Sequence, residues 1–209
     1  QQLVENNTDC HHFYEQANEV LGFSLSELML NGPAEELTKT YNAQPALLTT
    51  SSMIAHKLKQ AGIMPNFTAG HSLGEYSALV ASDVLSFAEA VLLVHQRGLY
   101  MNEAVPAGKG AMTAILGLGK DELAAVTHDV TSNGEVVQIA NLNCPGQIVI
   151  SGTAAGVLEA SSKAKEAGAK RAIPLVVSGP FHSELMRPAA QQLDAAISAI
   201  ELKQASIPV

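Results

Sequence analysis

The stretch Ala69-Gly70-His71-Ser72-Leu73-Gly74-Glu75-Tyr76 decides how this chain is read. Asn66-Phe67-Thr68-Ala69 reads as the end of a strand, and Glu75 to Ala81 carries helix-forming residues. Together they predict the strand, sharp turn and helix of a nucleophile elbow, with Ser72 at the apex. An apex backbone is strained, so the residues beside it must be small, and Gly70 and Gly74 are expected to leave that room. The following helix turns free N–H groups and the positive end of its dipole toward the serine. An oxyanion formed by attack of Ser72 Oγ on a carbonyl would then sit near the Leu73 N–H. The pentapeptide also fits a turn in which Ser72 only caps the helix. Both readings stay open at this point.

Working outward, 209 residues suffice to bury a real core and suggest one domain with a subdomain. Apolar residues make up 47% and charged ones 15%, the balance of a globular rather than a disordered chain. Twelve Lys and Arg against twenty Asp and Glu give a net charge of −8, which disfavours a nucleic-acid binder. A local basic patch could still form from Lys163, Lys165, Lys170 and Arg171. Cys10 and Cys144 are too few and too far apart for a disulfide framework or a zinc site, and no metal is expected. No leader segment and no bilayer-spanning run is visible, so a cytoplasmic, membrane-free protein is expected.

Taken in order, Cys10–Leu21 is a predicted amphipathic helix ended by Gly22. Asn31-Gly32-Pro33 is a turn before a short helical piece, Ala34–Leu37. Gln44-Pro45-Ala46-Leu47-Leu48 opens a helix to about Lys59, with Pro45 in its first turn. Ser86-Phe87-Ala88-Glu89 is a capping box starting a helix to about Asn102. Arg97 lies late in that helix, where periodicity alone makes it a solvated cation favoured by the dipole. From Gly110 the pattern reads as strand 111–116, helix 120–131, strands 136–140 and 147–151, helix 153–167 and strand 172–177. That βαββαβ order is a split βαβ unit. His182 follows in Ser178-Gly179-Pro180-Phe181-His182-Ser183, at a strand end, either as a structural histidine or as a catalytic base. A last helix reaches about Ile200, with Pro188 in or near its first turn. Ser206-Ile207-Pro208-Val209 reads as the start of another strand, so a truncated chain is expected.

Six segments now stand in order: Gly32–Leu37, Gln44–Leu48, Gly70–Leu79, Gln96-Arg97-Gly98, Asn143-Cys144-Pro145-Gly146-Gln147 and Ser178–Ser183. With them the chain resembles the malonyl-CoA:acyl-carrier-protein transacylase family over essentially its whole length. The resemblance implies an α/β fold, an α/β-hydrolase-like core (1–107 and 175–209) with an inserted ferredoxin-like subdomain (108–174). It implies transfer of malonyl from coenzyme A to the phosphopantetheine thiol of acyl carrier protein in fatty-acid biosynthesis. Ser72 would be the nucleophile and His182 the base, a division of labour that two-step transfer needs. Arg97 would grip the free malonyl carboxylate by two parallel hydrogen bonds. Leu73 and Phe181 look like malonyl-selecting residues, and Gln44 and Asn143 match motif positions near the pocket. No cofactor beyond the coenzyme A thioester is implied, and a monomer is expected. Two departures are expected to matter. The Gly-Gln-Gly loop that supplies a second oxyanion donor is lacking, at roughly 10²–10³ in rate. So is the C-terminal segment that orients the histidine. Asp83, Asp121 and Asp129 sit in no triad motif, so a Ser–His dyad is expected. A serine esterase or thioesterase, or a non-catalytic carrier-docking fragment, are the alternative readings.

Overall fold

A computed structural model describes residues 8–106 and 108–209. They group into two compact units, one formed by the chain up to Leu99 and again from Leu193, the other by Tyr100–Gln192. All ladder pairing among the described residues lies in the second unit, so the chain is α/β with a small antiparallel sheet.

The first unit carries helices α1 (Thr8–Leu21), α2 (Leu25–Asn31), α3 (Ala34–Leu37), α4 (Thr40–Gln60), α5 (Gly74–Ala81) and most of α6 (Phe87–Glu103). Its core joins Ala17, Leu25, Leu48, Tyr76, Val91 and Val94, all nearly without solvent exposure. Gly22, at φ 74°, ends α1 in the left-handed conformation a side chain resists. Helix α2 went unread in the sequence although its signal was there: Ser24 Oγ accepts from the Glu27 N–H at 3.3 Å, half of an S-x-x-E box. Helix α4 begins at Thr40, four residues earlier than expected, so Pro45 lies inside it rather than in its first turn. The strand expected over 66–69 does not form. That segment makes one bond of a ladder, from the Thr68 N–H to the Pro208 carbonyl at 2.9 Å. A strand exists only where a neighbour supplies a row of such bonds, and among the described residues the Thr68 N–H has the single bond to Pro208.

The second unit holds β1 (Gly110–Leu116), α7 (Lys120–Ser132), β2 (Val137–Cys144), β3 (Gln147–Thr153), α8 (Ala154–Glu166) and β4 (Arg171–Pro174). The sheet order is β2-β3-β1-β4, every neighbour antiparallel. Ile115, Ile148 and Ile150 meet Leu123 and Val130 of α7 and Val157 of α8 in its core. Ala160 and Ala164, fully buried, are small enough to let α8 lie close to the sheet. Strand β2 runs to Cys144, past the expected end at Ala140, because register shifts at 139/141 and 142/144 break the two-residue alternation. Strand β4 stops at Pro174, short of the expected Val177; Pro174 has no N–H to give, and only the Leu175 N–H continues, to Met112 at 2.9 Å. Helix α9 (Arg187–Ser198) has Pro188 in its first turn, as expected. Of the basic residues that could form a patch, Lys163 pairs with Asp129 (2.6 Å) and Glu159 (2.9 Å), and the Asp129 bond pushes its pKa up to about 12.

At Ser86 the capping box is complete. Glu89 accepts from the Ser86 N–H (2.9 Å) and hydroxyl, and the Glu89 N–H donates to Ser86 Oγ at 3.3 Å. These bonds hold the Glu89 carboxyl below the usual range. Its contribution to stability is therefore full above the unfolded carboxyl pKa and is lost as pH falls through the lower folded value. Ser86→Ala is expected to cost about 1 kcal/mol in urea unfolding. Glu89→Gln should keep the cap but flatten the acid arm of the stability–pH curve.

Candidate active site

The turn at 70–74 is built by close backbone approach. Ser72 sits at φ 52°, in the left-handed region, where an L-residue costs roughly 1–2 kcal/mol. A Cβ on Gly70 would lie 1.9 Å from the Gly74 carbonyl carbon, so no side chain fits there. A Cβ on Gly74 would meet nothing within 4 Å. The room at the elbow is therefore supplied by Gly70 alone, not by both glycines as the motif suggested. Leu73 has helical dihedrals and is 9% exposed, anchored in the first unit's core. Among the described residues no backbone carbonyl accepts from the Leu73 N–H, which leaves that donor at the start of α5 beside Ser72.

Arg97 is not a solvated cation. Its Nη2 donates to Ser72 Oγ at 3.0 Å, and its Nη1 donates to Gln44 Oε1. Its guanidinium carbon lies 5.7 Å from the centre of the Tyr76 ring, a cation–π contact. Gln44, 5% exposed, is in turn fixed by donating from Nε2 to Thr40 Oγ1 at 2.8 Å. Burial pulls the Arg97 pKa down, while Tyr76 and Glu75 pull it back, and the guanidinium stays charged. Burial likewise raises the Tyr76 pKa. Both acceptors that Arg97 holds are neutral oxygens, and among the described residues no carboxylate is paired with it. Arg97 is thus half-buried, with an alcohol and an amide oxygen as its hydrogen-bond acceptors and the Tyr76 ring against its guanidinium.

His182, Phe181 and Asn143 belong to the second unit. His182 is exposed at φ 59°, on a loop pinned at both sides. Ser183 Oγ donates to the Pro180 carbonyl at 2.7 Å, and the Glu184 N–H donates to Gln138 Oε1 at 2.9 Å. Phe181 packs against Met101, Met186 and Ala189. Asn143 is exposed near the end of β2. Gln138 was not singled out from sequence, and nothing in its β-strand pattern marks it. Asp83 is committed elsewhere, accepting from Ser206 Oγ at 2.8 Å, and Asp129 holds Lys163. Among the described residues no group of three His, Cys, Asp or Glu could hold a metal.

Residues 10–209 match the acyl transferase domain family. The chain is 61% identical over 208 residues to malonyl CoA-acyl carrier protein transacylase of Bacillus subtilis, covering all of this chain and 66% of that one. An acyl carrier protein S-malonyltransferase from Vibrio cholerae, solved by crystallography, superposes with a TM-score of 0.95 at 46% identity, over 99% of this chain and 68% of the other. A malonyl-transacylase in complex with a type II PKS acyl-carrier protein gives 0.93 at 44% identity, over 96% and 65%. The chain thus spans about two thirds of the length of the relatives it matches. The chain therefore belongs to the acyl transferase domain family. Within that family its similarity runs to the malonyl CoA-acyl carrier protein transacylases.

The two elbow glycines should behave oppositely. Gly70→Ala is expected to abolish acyl transfer or folding, whereas Gly74→Ala should change stability by no more than about 1 kcal/mol. Thermal unfolding and acyl-transfer assays of the pair separate the two. Equal tolerance would mean the turn is not set by the Gly70–Gly74 approach.

Proposed function

We propose that this protein transfers a malonyl group from malonyl-CoA to the phosphopantetheine thiol of acyl carrier protein, in fatty-acid biosynthesis. The observation that carries the reading is Arg97, a cation 3.0 Å from Ser72 Oγ whose two hydrogen-bond acceptors, Gln44 and Ser72, are both neutral. A malonyl thioester brings a carbonyl for the serine and, one methylene away, a carboxylate for the guanidinium.

In the first half-reaction Ser72 Oγ attacks the thioester carbonyl while His182 takes its proton. The Leu73 N–H receives the developing oxyanion. The C–S bond breaks, coenzyme A leaves as a thiol carrying the proton from His182, and malonyl remains as an ester on Ser72. The carrier's thiol then repeats these steps in reverse sense, freeing the serine. Gln44 orients Arg97; Phe181 and Asn143 belong to the acyl-selecting surroundings, and the Leu73 side chain to the wall after the nucleophile. The partner assignment draws support from the relative solved with its acyl-carrier protein.

The fold assignment within this reading is an α/β-hydrolase-like core (1–107 and 175–209) and a ferredoxin-like insertion (108–174). Support for the insertion comes from its β2-β3-β1-β4 order with one helix after β1 and one after β3. The reading includes a cytoplasmic monomer without a further cofactor; no described helix is long and apolar enough to cross a membrane.

The protein as the cell makes it, incubated with malonyl-CoA, should gain one malonyl mass on the peptide containing Ser72, and Ser72→Ala should gain none. A folded wild-type protein that takes no label rejects the assignment, and rapid hydrolysis without carrier would indicate a thioesterase. Arg97→Ala should lower malonyl transfer about 10–100-fold, the loss of a charge-assisted pair worth roughly 1.5–3 kcal/mol. Acetyl transfer should fall by a smaller factor, and equal losses on both donors would mean that Arg97 does not hold the carboxylate.

A further inference from the structure

Helix α4, which carries the Arg97 partner Gln44, has a gap in its own hydrogen bonding. In α4 the carbonyl of Tyr41 would accept the N–H of residue 45, but that residue is Pro45, fully buried and without an N–H. A buried carbonyl left without a donor costs about 1–3 kcal/mol. Here a donor comes from α6: His95 Nδ1 lies 2.7 Å from the Tyr41 oxygen. A carbonyl oxygen only accepts, so the proton is on Nδ1. The rings of Phe23 and Tyr41, with centroids 5.7 and 6.3 Å away, hold the imidazole in place.

One turn further along α6 the two helices touch backbone to backbone. A Cβ on Gly98 would stand 2.3 Å from Tyr41 Cα and 2.9 Å from the Thr40 oxygen. His95 and Gly98, three apart, share one face of α6 and press on the same residue of α4. Arg97 lies between them in sequence, and Gln44 lies one turn beyond Tyr41. The Arg97–Gln44 bond therefore spans two helices whose separation is set at Tyr41.

We propose that His95 is a positioning residue: its Nδ1–H clamps α6 to the carbonyl that Pro45 leaves open, and so sets the Arg97–Gln44 pair that selects a carboxylate-bearing acyl group. This rests on the malonyl-transfer reading for its consequence, though not for the clamp itself.

His95→Leu removes the donor and is expected to lower kcat/KM for malonyl-CoA about tenfold, one hydrogen bond's worth. The loss should fall mainly on KM, with a smaller loss on acetyl-CoA. His95→Asn, whose Nδ2 occupies the place of Nδ1, should recover most of it. In an Arg97→Ala background His95→Leu should add no further loss of malonyl transfer. Equal losses on both donors, no recovery by Asn, or additive losses in the double variant would each overturn the positioning role. Nitrogen-15 NMR of histidine-labelled protein reads the clamp without any activity. A neutral His95 protonated on Nδ1 supports it, and one protonated on Nε2 overturns it. A wild-type protein that shows the Nδ1–H form but takes no malonyl refutes the functional reading and leaves the clamp standing.

Discussion

The hydrogen bond from Arg97 to Ser72 Oγ is the constraint on which the first unit's site rests. A guanidinium is expensive to bury unless its charge is answered, and the usual answer is a carboxylate. Here the direct contacts are an amide oxygen, an alcohol oxygen and an aromatic face, with the Glu75 charge acting on the guanidinium beside them. Each solvates the charge without cancelling it. In the malonyl-transfer reading proposed above, such an arrangement costs little to reorganise when the carboxylate of the acyl group arrives.

That arrangement is bought with irregularities elsewhere. Pro45 inside α4 forfeits a helical hydrogen bond, and Gly98 inside α6 forfeits helix propensity of about 1 kcal/mol relative to alanine. Either would look like a flaw in an isolated helix. Together they bring α4 and α6 close enough for the Gln44 amide to reach Arg97, with the His95 donor occupying the carbonyl that the proline abandons.

How much of this could be read from the chain depends on the range of the interaction that fixes each feature. The capping box at Ser86 and Glu89 is local, needs only four residues, and forms as written. The βαββαβ order was also legible, because each element carries its own hydrophobic period and turn. Ladder lengths were not: β2 outlasts its alternation because bulges move side chains between faces, and 66–69 fails to become a strand for want of a row of partners. Arg97 shows the same limit. From helix periodicity it is a surface cation, and only its meeting with Gln44, 53 residues earlier, and with Ser72, 25 residues earlier, shows it half-buried and hydrogen-bonded beside the elbow serine. His95 had a signal in principle, a proline inside a helix asking for a donor, but nothing local says which histidine replies.

Strain follows the same logic in both units. Ser72 and His182 each adopt a positive φ that their side chains disfavour, and such conformations persist only where the surroundings leave no alternative. At Ser72 the enforcing contact is Gly70 against the Gly74 backbone, 1.9 Å from where a Cβ would be. Near His182 it is Gly110 of β1 against the Pro180 ring, at 2.3 Å by the same measure, with Ser183 and Gln138 tying down the other side of the loop. In each case a glycine lets backbone pack against a rigid neighbour close to a residue with positive φ. In the malonyl-transfer reading, the glycines and prolines of this chain therefore bear on the chemistry alongside Ser72 and His182.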